Sequence, residues 1–131
     1  MALRERRLIQ QYTDTLLPQV QADLKQACGG DIEVSVEWDG FESDMAALER
    51  LPSQCFDRLV TAIGWVCKEE IGKAAMREKV RQVVVRNVRT AAERNLALSD
   101  GILTVAGVWA STEWDGLYHQ TEYHRFFESH L

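Results

Sequence analysis

The side chains best suited to chemistry lie near the end of the chain. They are His119, His124 and His130, interleaved with Glu122 and Glu128. Imidazole beside carboxylate suggests a metal site or a proton-transfer pair. On a helix, His124 and Glu128 stand four apart and share a face. His119 and His130 then point elsewhere, and a zinc centre needs at least three ligands in good geometry. No metal and no cofactor are therefore expected. Cysteine offers a second route, through Cys28, Cys55 and Cys67. Cys55 falls near a helix start, where thiolate is favoured, but its apolar neighbours point to a core thiol. There is no Gly-rich phosphate loop, no CxxC and no Gly-x-Ser-x-Gly elbow. An enzyme thus ranks third among the readings, behind two kinds of binding.

The two binding readings come from charge. Lys73 to Arg94 holds seven basic residues against Glu78 and Glu93, whereas Asp31 to Glu49 holds seven acids and no base. The chain as a whole carries a net charge of -5, which argues against general attraction to nucleic acid or anionic lipid. Within the basic segment, Lys79, Arg81, Arg86 and Arg89 are the candidate anion-binding residues. No aromatic side chain is interleaved there for base stacking. Alternatively, these arginines neutralise Glu33 and Glu37 across neighbouring strands.

One tetrapeptide occurs twice. Glu-Trp-Asp-Gly stands at residues 37–40 and again at 113–116. Chance alone produces such a repeat in roughly one chain of this size in ten, so it is no proof of duplication. Asp-Gly suits a turn at a strand end, and glutamate there is solvated. If the two preceding strands run parallel, both copies reach the same end of the sheet. Glu37, Trp38, Asp39, Glu113, Trp114 and Asp115 would then form one rim, with Glu33 on the acidic strand face beside it. Tryptophan is favoured at the centre of interfaces.

The elements that would position these residues follow from hydrophobic period. Leu8, Tyr12, Leu16, Val20 and Leu24 mark an amphipathic helix over 3–27, with a kink expected near Leu17 because of Pro18. "CGG" stops it. "IEVSVEW" at 32–38 alternates apolar and acidic residues, as a half-buried antiparallel strand does, and places Trp38 in the core. Ser43 is expected to cap a short helix over 44–50. Pro52 and Ser53 separate it from a longer helix through Phe56, Leu59, Ile63 and Cys67, with Gly72 near its end. "VRQVVVRNV" at 80–88 reads as a central strand. Leu96 and Leu98, then Asp100-Gly101, then Leu103 and Val105 spell a hairpin. Tyr123, Phe126 and Phe127 mark a terminal helix.

These elements predict one α+β domain over residues 1–131. Its small sheet, antiparallel or mixed, has three to four strands, with helices packed mainly on one face. No apolar run approaches the roughly 20 residues of a membrane span. Three cysteines without regular spacing suggest no disulfide framework. "MALRERRLIQ" is not a signal peptide, so a reducing, cytoplasmic setting is expected. The expected function is a non-catalytic protein-interaction module, an accessory, adaptor or immunity-type protein. Its acidic face would meet a basic partner, and self-association is compatible with its size. Nucleic-acid or anion binding is the alternative.

Overall fold

The computed structural model describes residues 2–131. The first helix runs from Leu3 to Cys28 in three parts. α1 (Leu3–Gln11) passes through a π-helical turn (Tyr12–Leu16) into α2 (Leu17–Cys28). The disturbance expected from Pro18 is therefore a widened turn just upstream of it. Gly29, at φ 80°, ends α2 in the left-handed conformation that glycine tolerates best. β1 (Glu33–Val36) and a 3₁₀ turn (Trp38–Phe41) follow.

α3 (Met45–Leu51) continues through a second π-helical turn (Pro52–Asp57) into α4 (Arg58–Val66). Three local expectations are corrected here. Asp44, not Ser43, caps α3, with Oδ1 accepting from the Ala47 N–H at 3.2 Å. Pro52 does not separate two helices: it lies inside a continuous helical run, where the Leu48 carbonyl that its missing N–H leaves free accepts from the Tyr12 hydroxyl at 2.8 Å. Gly72 ends no helix either. It lies inside α5 (Glu70–Lys79), where a β-carbon would collide with the Val66 carbonyl oxygen. Its bareness lets α5 turn tightly against the end of α4.

β2 (Gln82–Asn87), β3 (Asn95–Ser99) and β4 (Ile102–Gly107) complete one sheet in the order β1-β2-β4-β3. β1 pairs with β2 in parallel, β2 with β4 in parallel, and β3 with β4 in antiparallel. The strand expected to be antiparallel is thus a parallel edge strand. The helices between β1 and β2 supply the crossover that a parallel pair requires. Asp100 and Gly101, at φ 53° and 80°, make the type I′ turn of the β3–β4 hairpin. α6 (Gln120–His130) closes the chain.

Pairing register puts Val34, Val83 and Leu103 in one row and Val36, Val85 and Val105 in the next. These six are buried and join Leu24, Leu48, Leu59, Ile63, Met76 and Phe127 of the helices in a single core. The helices therefore cover one face of a four-stranded mixed sheet. The alternate rows, such as Ser35, Val84, Thr104 and Ala97, form an open, partly exposed face. Cys28 and Cys67 form a disulfide, their Cα atoms 5.3 Å apart, where the end of α2 meets the end of α4. The expectation from irregular cysteine spacing that no disulfide forms is therefore corrected. Packing of α2 on α4 joins two cysteines 39 residues apart, and the cysteine pattern no longer argues for a reducing compartment.

Candidate functional site

Because β1 and β4 both run parallel to β2, their C-terminal ends lie at the same end of the sheet, about 10 Å apart with β2 between them. Each Glu-Trp-Asp-Gly copy follows one of these strands. Each folds as a 3₁₀ turn, Trp38–Phe41 in one case and Trp114–Gly116 in the other. Both turns therefore belong to one rim. In parallel sheets this end is the usual location of binding sites, because the loops there are free to vary.

Asn87, the last residue of β2, ties the rim together. Its Nδ2 donates to the Gly40 carbonyl at 2.8 Å and to Asp44 Oδ2 at 2.9 Å, while its Oδ1 accepts from the Trp109 N–H at 3.3 Å. One side chain thus links the first turn, the cap of α3 and the segment after β4. The fully buried Trp109 adds a bond from Nε1 to the Arg86 carbonyl at 2.8 Å. Arg50 of α3 donates to the Ala110 carbonyl. None of these anchors was among the expected site residues. Asn87 carries no signal beyond its place at the end of a valine-rich run.

The second turn is held from below. Arg94 Nη1 donates to the Leu117 carbonyl at 2.5 Å and to the Trp114 carbonyl at 3.4 Å. The same guanidinium lies 4.9 Å from the Tyr118 ring centre. The Arg58 guanidinium sits 4.3 Å from the Trp114 ring, and His119 packs edge-on at 5.1 Å. Trp114 is nevertheless half exposed, at 50%, with Glu113 and Asp115 exposed on either side. A large aromatic fixed in place yet open to solvent loses little entropy on binding. Burial raises the Tyr123 hydroxyl well above its ordinary range, with Cys55, Tyr118 and Glu122 adding and Arg58 opposing. Burial alone pushes the Cys55 thiol far up. That thiol stays protonated, so the nucleophile weighed from sequence is a packed core group.

The other expected residues fall as follows. Trp38 is only partly buried and rests on Phe41, ring centres 5.7 Å apart, so its expected place deep in the core is corrected. The strand ends at Val36, and Trp38 has already left the pleat. Asp39 is exposed, and Glu33 is exposed on the open sheet face. Glu37 is paired with Arg86, Oε2 to Nε 2.9 Å. This is the internal neutralisation that neighbouring acidic and basic strands allow.

The four basic candidates divide into two groups. Lys79 and Arg81 precede β2, and Arg81 Nη2 donates to the Asp100 carbonyl at 2.5 Å. Arg86 and Arg89 lie at or beyond its C-terminal end. Five residue steps along the strand put Arg81 and Arg86 about 17 Å apart, so the groups do not form one patch.

His124 Nε2 and Glu128 Oε1 meet at 3.2 Å on α6, as their spacing implied. They line a cavity of about 310 Å³ with Trp65, Ile71, Phe127 and Leu131. Ile71 is 79% exposed and Trp65 38%, an apolar surface outside the expected site residues. Among the described residues, no three His, Cys, Asp or Glu side chains gather as a metal site, and no helix is long and apolar enough to cross a membrane. No family model, curated protein or solved structure matches this chain.

Proposed function

We propose that this protein is a non-catalytic interaction module that docks a protein partner on the rim at the strand ends, with Trp114 as the anchor. The observation that carries this reading is the shared placement of the two turns, one of which presents a rigid, half-exposed tryptophan between two exposed carboxylates. Interface energy concentrates in such aromatic anchors, while flanking charges select the partner and speed encounter. Glu37 is committed to Arg86, so Glu113, Asp115 and Asp39 supply the open negative charge. The fitting partner has an apolar slot edged by lysine or arginine.

The test places a photo-crosslinking amino acid at the exposed position 112, beside the intact Trp114, and, separately, at position 100 on the hairpin turn at the opposite end. Irradiation in extracts of the native host should give one adduct from position 112, lost at high salt and in the Asp115→Lys and Trp114→Ala backgrounds. The control position should not give it. Equal labelling from both positions would overturn the assignment of this rim.

A further inference from the structure

We infer that the protein associates with a second copy of itself through the outer edge of β3, joining two four-stranded sheets into one of eight strands. This partner and surface are separate from the docking rim.

The two edges of the sheet differ in protection. On β1, the outward N–H of Val34 is already bonded to Gln21 Oε1 at 2.8 Å, and Glu33 and Glu37 flank the strand with charge. Both are ordinary ways of blocking an edge. β3 reads Asn-Leu-Ala-Leu-Ser and carries no charge, no proline and no bulge. Among the described residues, no other strand pairs with its outer side.

Hairpin geometry states which groups face outward. The type I′ turn closes on Ser99 and Ile102, so Ser99, Ala97 and Asn95 bond inward to β4. Leu96 and Leu98 then turn their N–H and C=O groups away from the sheet. Their side chains share the helix-side face and pack on the core margin.

The sequence of β3 is self-complementary about Ala97. A two-fold axis through Ala97 sets Leu96 opposite Leu98 of the second copy, and Leu98 opposite its Leu96. Each pair exchanges two backbone hydrogen bonds. Asn95 falls opposite Ser99, so no like charges meet. Ala97 faces its own counterpart at a non-hydrogen-bonded position, where Cα atoms approach to about 4.5 Å and a small residue fits best. Along the same edge, Leu96 lines an open groove with Tyr118, Phe126, Glu122 and Arg125 of the α6 side. The paired leucines would extend this apolar surface across the junction, and the groove wall holds one charge of each sign. Isologous pairing of this kind is self-limiting, because each copy uses its single open edge.

Sedimentation of the full chain from low to several hundred micromolar should show the chain mass doubling. Ala97→Lys, which opposes two ammonium groups across the axis, should remain monomeric throughout with an unchanged circular dichroism spectrum. Ala97→Cys should form a disulfide-linked dimer on mild oxidation, since the expected separation lies within disulfide reach. Ser35→Cys, on the far edge, should not. Should the lysine variant fail to fold, the cysteine pair decides. A wild type that stays monomeric overturns the proposal, even if it pairs with a foreign peptide strand. So does a dimer that survives Ala97→Lys, or equal crosslinking by both cysteine variants.

Discussion

The two Glu-Trp-Asp-Gly turns share four residues, a conformation and an end of the sheet, yet their tryptophans have different roles. Trp38 lies partly buried on Phe41. Trp114 stands half in solvent, braced by Arg58 and His119. The first turn is short and leads directly to the cap of α3, so its ring is drawn onto the core edge. The second lies in a twelve-residue connection, 108–119, whose buried apolar positions are filled by Trp109, Leu117 and Tyr118. Its tryptophan is left over for the surface. Identical local sequence therefore specifies the turn, and the neighbours specify whether its aromatic stabilises or binds.

Truncation should separate the two most clearly. Trp38→Ala should cost about 2–3 kcal/mol, below the penalty for a fully buried aromatic, read as a lower urea midpoint. A loss no greater than that of Trp114→Ala would erase the distinction. Asn87→Ala comes next. It strands the Gly40 carbonyl and the Trp109 N–H, and about 1–3 kcal/mol should be lost. Hydrogen exchange should quicken at the first turn and after β4, and remain slow in the β3–β4 hairpin.

The turn glycines give a finer contrast. A β-carbon on Gly40 would lie 2.9 Å from the Asn87 backbone oxygen, whereas one on Gly116 would lie 3.0 Å from a Val108 side-chain carbon. Asn87 is held in the β2–β4 ladder, whereas Val108 lies in a connection outside the sheet, which yields more readily. Gly40→Ala should therefore lower the melting temperature further than Gly116→Ala, by about 1 kcal/mol in stability. The smallest effect on stability belongs to Trp114→Ala, under about 1 kcal/mol, the value of an exposed cation–π contact. Partner capture should nevertheless fail. An unfolding midpoint shifted as far as that of Trp38→Ala would place Trp114 with the core rather than with binding.

Several features were legible in the chain itself. Leu96, Leu98 and Asp100-Gly101 spell a hairpin because period-two alternation and two positive φ angles are local requirements. The valine run of β2 marks a central strand, and Gly29 marks the end of α2, for equally local reasons. Local pattern also gave the helix face bearing His124 and Glu128. It could not give strand direction, since alternation is the same in parallel and antiparallel pairs. Direction alone decided that both turns share one rim. Nor could it give the Cys28–Cys67 bond, the Arg86–Glu37 pair or the bridging by Asn87, each of which joins residues far apart in sequence. Trp38 and Trp114 show the same limit at a single residue type. A tetrapeptide fixes its own backbone through short-range sterics and hydrogen bonds. Burial depends on what the rest of the chain brings alongside, and that is settled only when the helices close over one face of the sheet.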